Sequence, residues 1–295
     1  MWFFITMILH IVYVNTVLDC EQNDCEVLDE LPNDIKIINF TAGGGNLMYQ
    51  LGIARFIQEQ YDLQNMCFVG TSSGTASSLC LANNINVDRA VNESIRNIFI
   101  DCKRHSYFGN VNRVCNSIII HTQKYIGSLT GLQNCNHRLF LAVSQVGWFG
   151  LRKKYLTGGS FNSIAVGCSV SAWIPFITCP MFKPLVNLNG RYYVDGCLSG
   201  FRDNVNKKNM LVISPNVFVK RPLYTYWVWL DLDYNMREYK AGYNDASTNR
   251  KQLDDFLGSR RFPEPLPFKG TELATSPAAV ENVVSENRIF PVFFK

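Results

Sequence analysis

Blocks of apolar and polar residues predict strands and helices in turn along the first third of the chain. Residues 35–41 form a β-branched run bounded by Pro32 and a glycine cluster, which predicts a strand. Residues 48–60 carry apolar positions on one helical face, and residues 66–69 form a second apolar strand. Residues 75–81 predict a second helix. This order is typical of a parallel sheet with helices packed on its faces.

Later segments extend the pattern. Residues 139–146 and 210–215 predict two further buried strands, and residues 236–257 predict a long helix. Residues 20–34 are polar and acidic and are interpreted as a linker. Residues 111–125 are interpreted as a helix and loop that either line a pocket or belong to ordinary core packing.

The N-terminal residues form an apolar leader that is distinct from the rest of the chain. Residues 1–18 are almost all apolar, and their length fits the hydrophobic part of a signal peptide. The segment lacks a basic start and is short for a full span, so a signal peptide, a membrane anchor and an unusually apolar cytosolic start stay open. The first two interpretations predict a membrane-associated or secreted protein. We divide the chain into a leader (1–20), a core (35–215) and a C-terminal extension packed on the core (216–295).

Composition excludes several classes of protein. The 295 residues are 47% hydrophobic and 18% charged, which is typical of a globular protein. The net charge of +4 is mild and the basic residues are scattered, so we expect no nucleic-acid partner. The cluster Arg152-Lys153-Lys154 is interpreted as a solvated turn, and the charge supports only a slight attraction to anionic membrane. The ten cysteines include no C-x-x-C pair, and we expect no metal and no cofactor.

The stretch Gly70-Thr71-Ser72-Ser73-Gly74 follows the second strand and matches the G-x-S-x-G pattern of a nucleophile elbow. Ser72 stands at the sharp turn between strand and helix, where Gly70 and Gly74 allow backbones to approach closely. The following helix would direct its N-terminal dipole toward a developing oxyanion. The pattern therefore predicts Ser72 as a nucleophile and Ser73 as a small neighbour in the turn.

A second glycine-rich turn, Gly43-Gly44-Gly45, lies between the first strand and the first helix. Backbone N–H groups at such a position bind anions. No Lys-Ser or Lys-Thr pair follows as in a P-loop, and Met48 stands where a dinucleotide-binding loop has its third glycine. A tight structural turn is the remaining alternative, but the elbow in the next β-α unit favours an oxyanion hole.

A nucleophilic serine needs a base, and the histidines are poorly placed for it. None follows residue 137, whereas the order in α/β-hydrolases ends in a late histidine. A triad of Ser72 with Asp101 and His121 stays open. The other candidate is Asp195, which ends a strand of bulky residues and precedes Gly196, although Asp-Gly is also a good turn in itself. The four histidines are His10, His105, His121 and His137.

Taken together, these motifs resemble the patatin-like phospholipases, and their animal triacylglycerol-lipase branch as much as the plant proteins. The resemblance covers about residues 35–255 and rests on three ordered motifs: the glycine triplet, Gly-Thr-Ser-Ser-Gly and the late Asp-Gly. Further matches are Phe161-Asn162-Ser163, Trp173-Ile174-Pro175-Phe176, Arg191-Tyr192-Tyr193-Val194-Asp195-Gly196 and Gly242-Tyr243-Asn244-Asp245.

The resemblance implies a three-layer α/β/α fold with a mainly parallel central sheet. It implies a lipid acyl hydrolase that cleaves phospholipid or acylglycerol esters through an acyl-enzyme, at a membrane or lipid-droplet surface. Ser72 matches the family's nucleophile, Asp195 its proton acceptor, and Gly43, Gly44 and Gly45 its oxyanion loop. A transacylase on the same site and a catalytically silent lipid-binding protein are the alternatives.

The chain departs from the family pattern at three positions. Asn46 stands where the family often has Arg or Lys, so a charge that helps the oxyanion is absent. Met48 replaces a glycine of the loop. Cys197 is larger than the usual Gly or Ala after Asp-Gly, and it is oxidisable. None of these changes removes a reactive group, so we expect a weakened enzyme rather than an inactive one.

Overall fold

The computed structural model describes residues 25–92, 138–159, 161–175, 184–200, 207–227, 232–258 and 261. Their strands are β1 (Glu26–Leu28), β2 (Lys36–Phe40), β3 (Met66–Thr71), β4 (Leu139–Gly147), β5 (Gly150–Thr157), β6 (Val186–Leu188), β7 (Arg191–Asp195) and β8 (Met210–Ile213). Their helices are α1 (Leu47–Gln60), α2 (Gly74–Ala82), α3 (Val87–Ala90), α4 (Phe161–Ser171), α5 (Leu232–Thr248) and α6 (Arg250–Leu257). Short 3-10 helices cover Gly44–Asn46, Gly196–Ser199, Lys207–Asn209 and Leu223–Trp227.

These strands form one sheet with the order β1-β5-β4-β3-β2-β8. The four strands β4, β3, β2 and β8 are parallel and make up its centre. β5 pairs antiparallel with β4 and β1, while β7 pairs antiparallel with β4 and β6. With helices at the sides of this sheet, the predicted α/β class with a mainly parallel centre is confirmed.

The central strands bury side chains on both faces, as parallel strands usually do. Ile38 and Phe68 join a large apolar cluster with the helices, whereas their neighbours Ile37 and Cys67 join a smaller cluster on the other face. This explains why the adjacent residues Ile37 and Ile38 are both apolar, where a strand with one exposed face would alternate.

Helices α1 and α5 are in close backbone contact. A Cβ on Gly52 would collide with the Tyr239 carbonyl oxygen, and a Cβ on Gly242 would collide with the Tyr49 carbonyl oxygen. The two glycines therefore face each other's helix, and no larger residue fits at either position without moving a helix. This contact fixes α5 on the helix that follows the glycine-rich turn.

Most of the predicted elements are confirmed to within a few residues, but three interpretations need correction. The segment interpreted as a linker contains β1, which extends the sheet beyond β5. The basic cluster at 152–154 lies within β5 rather than in a turn, and Lys154 pairs with Asp29. The helix predicted over 236–257 is two helices, α5 and α6, which are separated at Asn249.

Several predictions fall outside these observations. The apolar leader and the segment 111–125 lie outside the described residues, and the boundaries at 20, 35 and 215 stay predictions. Within the described ranges, no helix is both long enough and apolar enough to cross a membrane.

We expect Gly52→Ala and Gly242→Ala each to lower the free energy of unfolding by about 1–3 kcal/mol, because the added methyl group forces the two helices apart. Urea denaturation followed by circular dichroism measures this change. Lys240→Ala, at an exposed position of α5, is the control and should change stability by less than about 0.5 kcal/mol. Glycine variants as stable as the control would contradict the close contact.

Candidate active site

Two strands meet end to end along one edge of β4, and the candidate catalytic residues lie where they meet. β3 pairs with β4 as far as Thr71, which lies opposite Ala142. β7 runs in from the other end of β4 and finishes at Asp195, opposite the next residue, Val143. Both chains leave the sheet at this junction. Ser72 and Asp195 therefore come from adjacent positions on the sheet, although they are far apart in the sequence.

Ser72 has a strained backbone conformation at the turn between β3 and α2. Its φ is 53°, in the left-handed region that costs a non-glycine residue about 1–2 kcal/mol. Its N–H donates to Ser171 Oγ (3.0 Å), and its carbonyl accepts from the N–H (3.0 Å) and the hydroxyl (2.7 Å) of Thr75. These contacts hold the turn in place. Strain that is maintained by surrounding contacts is typical of functional sites.

The predicted turn glycines are places where backbones touch. A Cβ on Gly70 would lie 2.6 Å from the Thr75 Cα. One on Gly74 would collide with the backbone of β2, and one on Gly196 with the backbone of β4. The chain after each strand can therefore turn directly against the sheet only because these positions carry no side chain.

Asp195 is fully buried, and hydrogen bonds of its own backbone groups hold it in place. Its N–H donates to the Trp173 carbonyl (2.8 Å), and its carbonyl accepts from Ser144 Oγ (2.7 Å). Carboxylate atom Oδ1 accepts from the N–H of Cys197 (2.8 Å). Atom Oδ2 has no hydrogen-bond partner among the described residues, which leaves one oxygen of a buried carboxylate available as a proton acceptor.

Burial raises the pKa of the Asp195 carboxyl above its ordinary value of 3.8, because a charge in this site loses its hydration. The N–H of Cys197 and the hydroxyl of Ser72 act in the opposite direction and lower the pKa. The Ser72 hydroxyl therefore lies close enough to act on the Asp195 carboxylate. Catalytic hydrogen bonds are often poorly aligned before substrate binds.

The glycine-rich turn contacts the elbow directly. The N–H of Gly43 donates to Ser73 Oγ (2.9 Å), and its carbonyl accepts from the backbone (3.0 Å) and side-chain (3.1 Å) N–H groups of Asn46. Gly44 has a φ of 52°, and a Cβ there would lie 2.6 Å from the Tyr226 carbonyl oxygen. The turn thus requires glycine both for its backbone angle and for its packing.

The three glycines are not equivalent as candidate oxyanion donors. The N–H of Gly43 is already engaged by Ser73 in this conformation. Gly44 and Gly45 begin a 3-10 helix, and the first N–H groups of a helix have no intrahelical acceptor. Their role stays a prediction, with Gly44 and Gly45 as the donors that require no rearrangement.

Four polar side chains support the site, and the sequence indicated none of their supporting bonds. Ser171 and Ser144 are fully buried and join the two turns to β4: Ser171 Oγ donates to the Ala142 carbonyl (2.7 Å), and Ser144 Oγ accepts from the Ser199 N–H (2.9 Å). Ser73 connects the elbow to the glycine-rich turn. Gln50 donates to the carbonyls of Thr41 (2.8 Å) and Ile213 (3.4 Å) beneath that turn. The bonds of Ser144, Ser171 and Ser73, and the bond from Gln50 to Ile213, join distant parts of the chain, so no local motif could have revealed them.

The three departures from the family pattern each have a structural place. Asn46 is buried, and its side chain closes the glycine-rich turn by binding Gly43. Met48 is fully buried in the large apolar cluster. Burial and the neighbouring Asp195 raise the pKa of the Cys197 thiol, which keeps it protonated and disfavours the thiolate that oxidation requires.

The histidine alternative lies outside the part of the chain that is described. This applies to His10, His105, His121 and His137 and to Asp101. The triad hypothesis therefore stays open beside the Ser72–Asp195 pair. Within the described ranges, no cluster of three or more His, Cys, Asp or Glu side chains is arranged to hold a metal ion.

Comparison with known proteins adds little to this geometry. No protein-family model matches the chain, and neither does any curated protein. Among solved structures, the chain is similar to VipD from Legionella pneumophila at 12% identity and a TM-score of 0.37. The similarity covers 66% of this chain and 53% of that chain. A match this weak carries no argument about function.

Strain at Ser72 gives a testable effect on stability. We expect Ser72→Gly to be more stable than Ser72→Ala by about 1 kcal/mol, because both lack the hydroxyl but only alanine keeps the left-handed clash. Thermal unfolding of the two variants measures the difference. Ser77 lies inside α2, so there glycine should instead be less stable than alanine by about 1 kcal/mol. If glycine were less stable than alanine at both positions, the result would argue against strain at Ser72.

Burial of Asp195 gives a testable pH dependence. A carboxyl whose pKa is raised by folding stabilises the fold fully below its unfolded pKa, and this contribution is lost as the pH rises through the folded pKa. We therefore expect Asp195→Asn to gain stability over the wild type as the pH increases from about 3.8. Urea unfolding at a series of pH values measures this gain. Asp255→Asn removes an exposed charge and controls for the change in net charge. If the difference in unfolding free energy between Asp195→Asn and the wild type did not change with pH, the raised pKa would be contradicted.

Proposed function

We propose that the protein is a serine acyl hydrolase that cleaves carboxylic esters of phospholipid or acylglycerol. The observation that carries this proposal is the junction on β4, where a serine in a strained turn adjoins a buried carboxylate with an unpaired oxygen. Few structural roles require both features at one point. The lipid class of the substrate is supported by the sequence resemblance to patatin-like phospholipases.

In the proposed mechanism, Asp195 Oδ2 accepts the proton of the Ser72 hydroxyl as Ser72 Oγ attacks the ester carbonyl. The raised pKa makes Asp195 a stronger base than an exposed aspartate. Collapse of the tetrahedral intermediate expels the alcohol, which takes the proton back from Asp195. Water then attacks the acyl-enzyme and gives a proton to the same carboxylate. The second tetrahedral intermediate breaks its bond to Ser72 Oγ, which takes this proton back from Asp195, and the fatty acid is released.

The oxyanion is the other requirement of this mechanism. We assign its stabilisation to the N–H groups of Gly44 and Gly45, supported by the N-terminal end of α2. Gly43 can contribute only after Ser73 releases its N–H. Loss of one such donor typically reduces the rate by about 10²–10³, so the engaged N–H of Gly43 would add to the weakening expected from the departures at Asn46, Met48 and Cys197.

The same acyl-enzyme would transfer its acyl group to an alcohol in place of water, so a transacylase differs only in the acceptor. Formation of a new ester when an acceptor alcohol is added separates the two activities. Action at a membrane or droplet surface, and a membrane-associated or secreted location, are part of the proposal and derive from the resemblance and the apolar leader.

We expect Ser72→Ala and Asp195→Asn each to reduce hydrolysis of a soluble short-chain ester by at least about a thousandfold, because each removes one half of a unit that acts together. A spectrophotometric assay with a p-nitrophenyl ester measures this loss. Ser247→Ala, a half-buried serine on α5, is the matched control and should keep full activity.

Labelling by a fluorophosphonate probe separates an enzyme from a silent lipid-binding protein. The wild type should be labelled at Ser72, and Asp195→Asn should be labelled far more slowly because the base is missing. An unlabelled wild type would favour the silent protein. Loss of labelling in a variant of His105, His121 or His137, with Asp195→Asn unaffected, would favour the triad.

A further inference from the structure

The hairpin between β4 and β5 ends in two aromatic residues that point into solvent. Trp148 is 94% exposed and Phe149 is 92% exposed. Two-residue hairpin turns favour Asn, Asp and Gly, and bulky aromatic residues give the turn no conformational advantage. The adjacent hairpin between β6 and β7 has the favoured pair Asn189-Gly190, with both φ angles positive (51° and 76°). The local fold therefore does not account for the aromatic pair.

The residues beneath the turn separate by chemistry onto two faces. Leu151 and Tyr192 both lie opposite Val146 and form an apolar row across three strands, and they are 40% and 49% exposed. Successive side chains in a strand point to opposite faces. Arg152, next to Leu151, and Arg191, next to Tyr192, therefore lie on the other face. We call Trp148, Phe149, Leu151 and Tyr192, with Arg152 and Arg191, the hairpin surface.

The charge of this region has a single sign. No Asp or Glu occurs in residues 145–154 or 186–194. Arg152 and Arg191 are exposed, and neither forms an ion pair within the described part of the chain. Lys154, lower on β5, is different because it is paired with Asp29. The aromatic end of the hairpin is thus accompanied by positive charge that no carboxylate of the described residues pairs with.

The hairpin projects from the edge of the sheet at which the candidate active site lies. β3 ends opposite Ala142, while β4 continues in the same direction as far as Gly147. At about 3.3 Å per residue, the turn lies roughly 16 Å beyond Ser72. A surface in contact with Trp148 and Phe149 would therefore face the side of the molecule on which Ser72 and Asp195 lie.

We propose that the hairpin surface binds an anionic phospholipid bilayer, with Trp148 and Phe149 inserted at the level of the headgroups. Tryptophan favours this interface because its ring is both apolar and polar, and each Lys or Arg near an anionic leaflet strengthens binding. The biological purpose rests on the proposed function, since binding would present the candidate active site to lipid esters.

The same observations disfavour the other occupants. Two copies of the chain in contact through this surface would bring Arg152 and Arg191 against their own counterparts, and like charges oppose association. A stable complex between proteins buries about 800 Å² of surface on each partner, which requires a broad contact area. A projecting two-residue turn suits a fluid interface, which closes around it.

Vesicle sedimentation tests the proposal with the full chain carrying Ser72→Ala, so that lipid is not consumed and the result does not depend on hydrolysis. We expect binding to vesicles of phosphatidylcholine and phosphatidylserine that weakens as salt increases. Trp148→Ser/Phe149→Ser should reduce the partition coefficient at least about tenfold. Arg152→Gln/Arg191→Gln should remove most of the preference for anionic vesicles over pure phosphatidylcholine. Val212→Ser and Lys251→Gln are the apolar and charged controls, and neither should change binding.

A second measurement reports on the hairpin even if the apolar leader also binds lipid. Brominated phosphatidylcholine should quench part of the tryptophan fluorescence, and that part should be absent in Trp148→Phe. Wild-type binding by Trp148→Ser/Phe149→Ser, no quenching of Trp148, or a dimer that depends on the hairpin in place of vesicle binding would each overturn the proposal. Hairpin-dependent binding without Ser72-dependent ester hydrolysis would support it while overturning the proposed function.

Discussion

The geometry of the candidate site depends on the pairing of β4 with two strands along one edge. β3 reaches Ala142 and β7 reaches Val143, so the backbone of β4 sets the distance between Ser72 and Asp195. A shift of either strand by one residue would turn its side chains to the opposite face. The buried hydroxyls of Ser144 and Ser171 bind the turns on each side of this junction, and they therefore maintain the alignment at its most sensitive point.

This arrangement is costly for stability. Ser72 has an unfavourable backbone angle, and the carboxylate of Asp195 is buried with one oxygen unpaired. Ser72 and Asp195 both have closely packed neighbours, including Gly74, which touches β2, and Gly196, which touches β4. The rest of the sheet and the tight contact between α1 and α5 offset these costs. Unfavourable local features that are held by a well-packed surrounding structure are common at functional sites.

The sequence predicted what depends on local pattern. The strand before Ser72, the helix after it and the strand that ends at Asp195 all follow from short apolar runs beside glycines. It could not predict that β3 and β7 meet on β4, because the register depends on pairing between distant segments. For the same reason the sequence did not indicate the supporting roles of Ser144, Ser171 and Gln50. β1 was missed because it has only three residues and lies in a polar segment that resembles a linker. The engagement of Gly43 by Ser73 was equally out of reach, since it depends on the relative position of two turns.

The contact between Gly44 and Tyr226 bears on how the chain folds as a whole. The glycine-rich turn belongs to the predicted core, yet the carbonyl that lies over it comes from the predicted C-terminal extension. Further along, α5 buries Tyr239 and Tyr243 in the same apolar cluster as β2 and β3. The described parts on both sides of residue 215 therefore share one hydrophobic core. The turn would lose the surface that shapes it in a fragment that ended there, even with every predicted catalytic residue present.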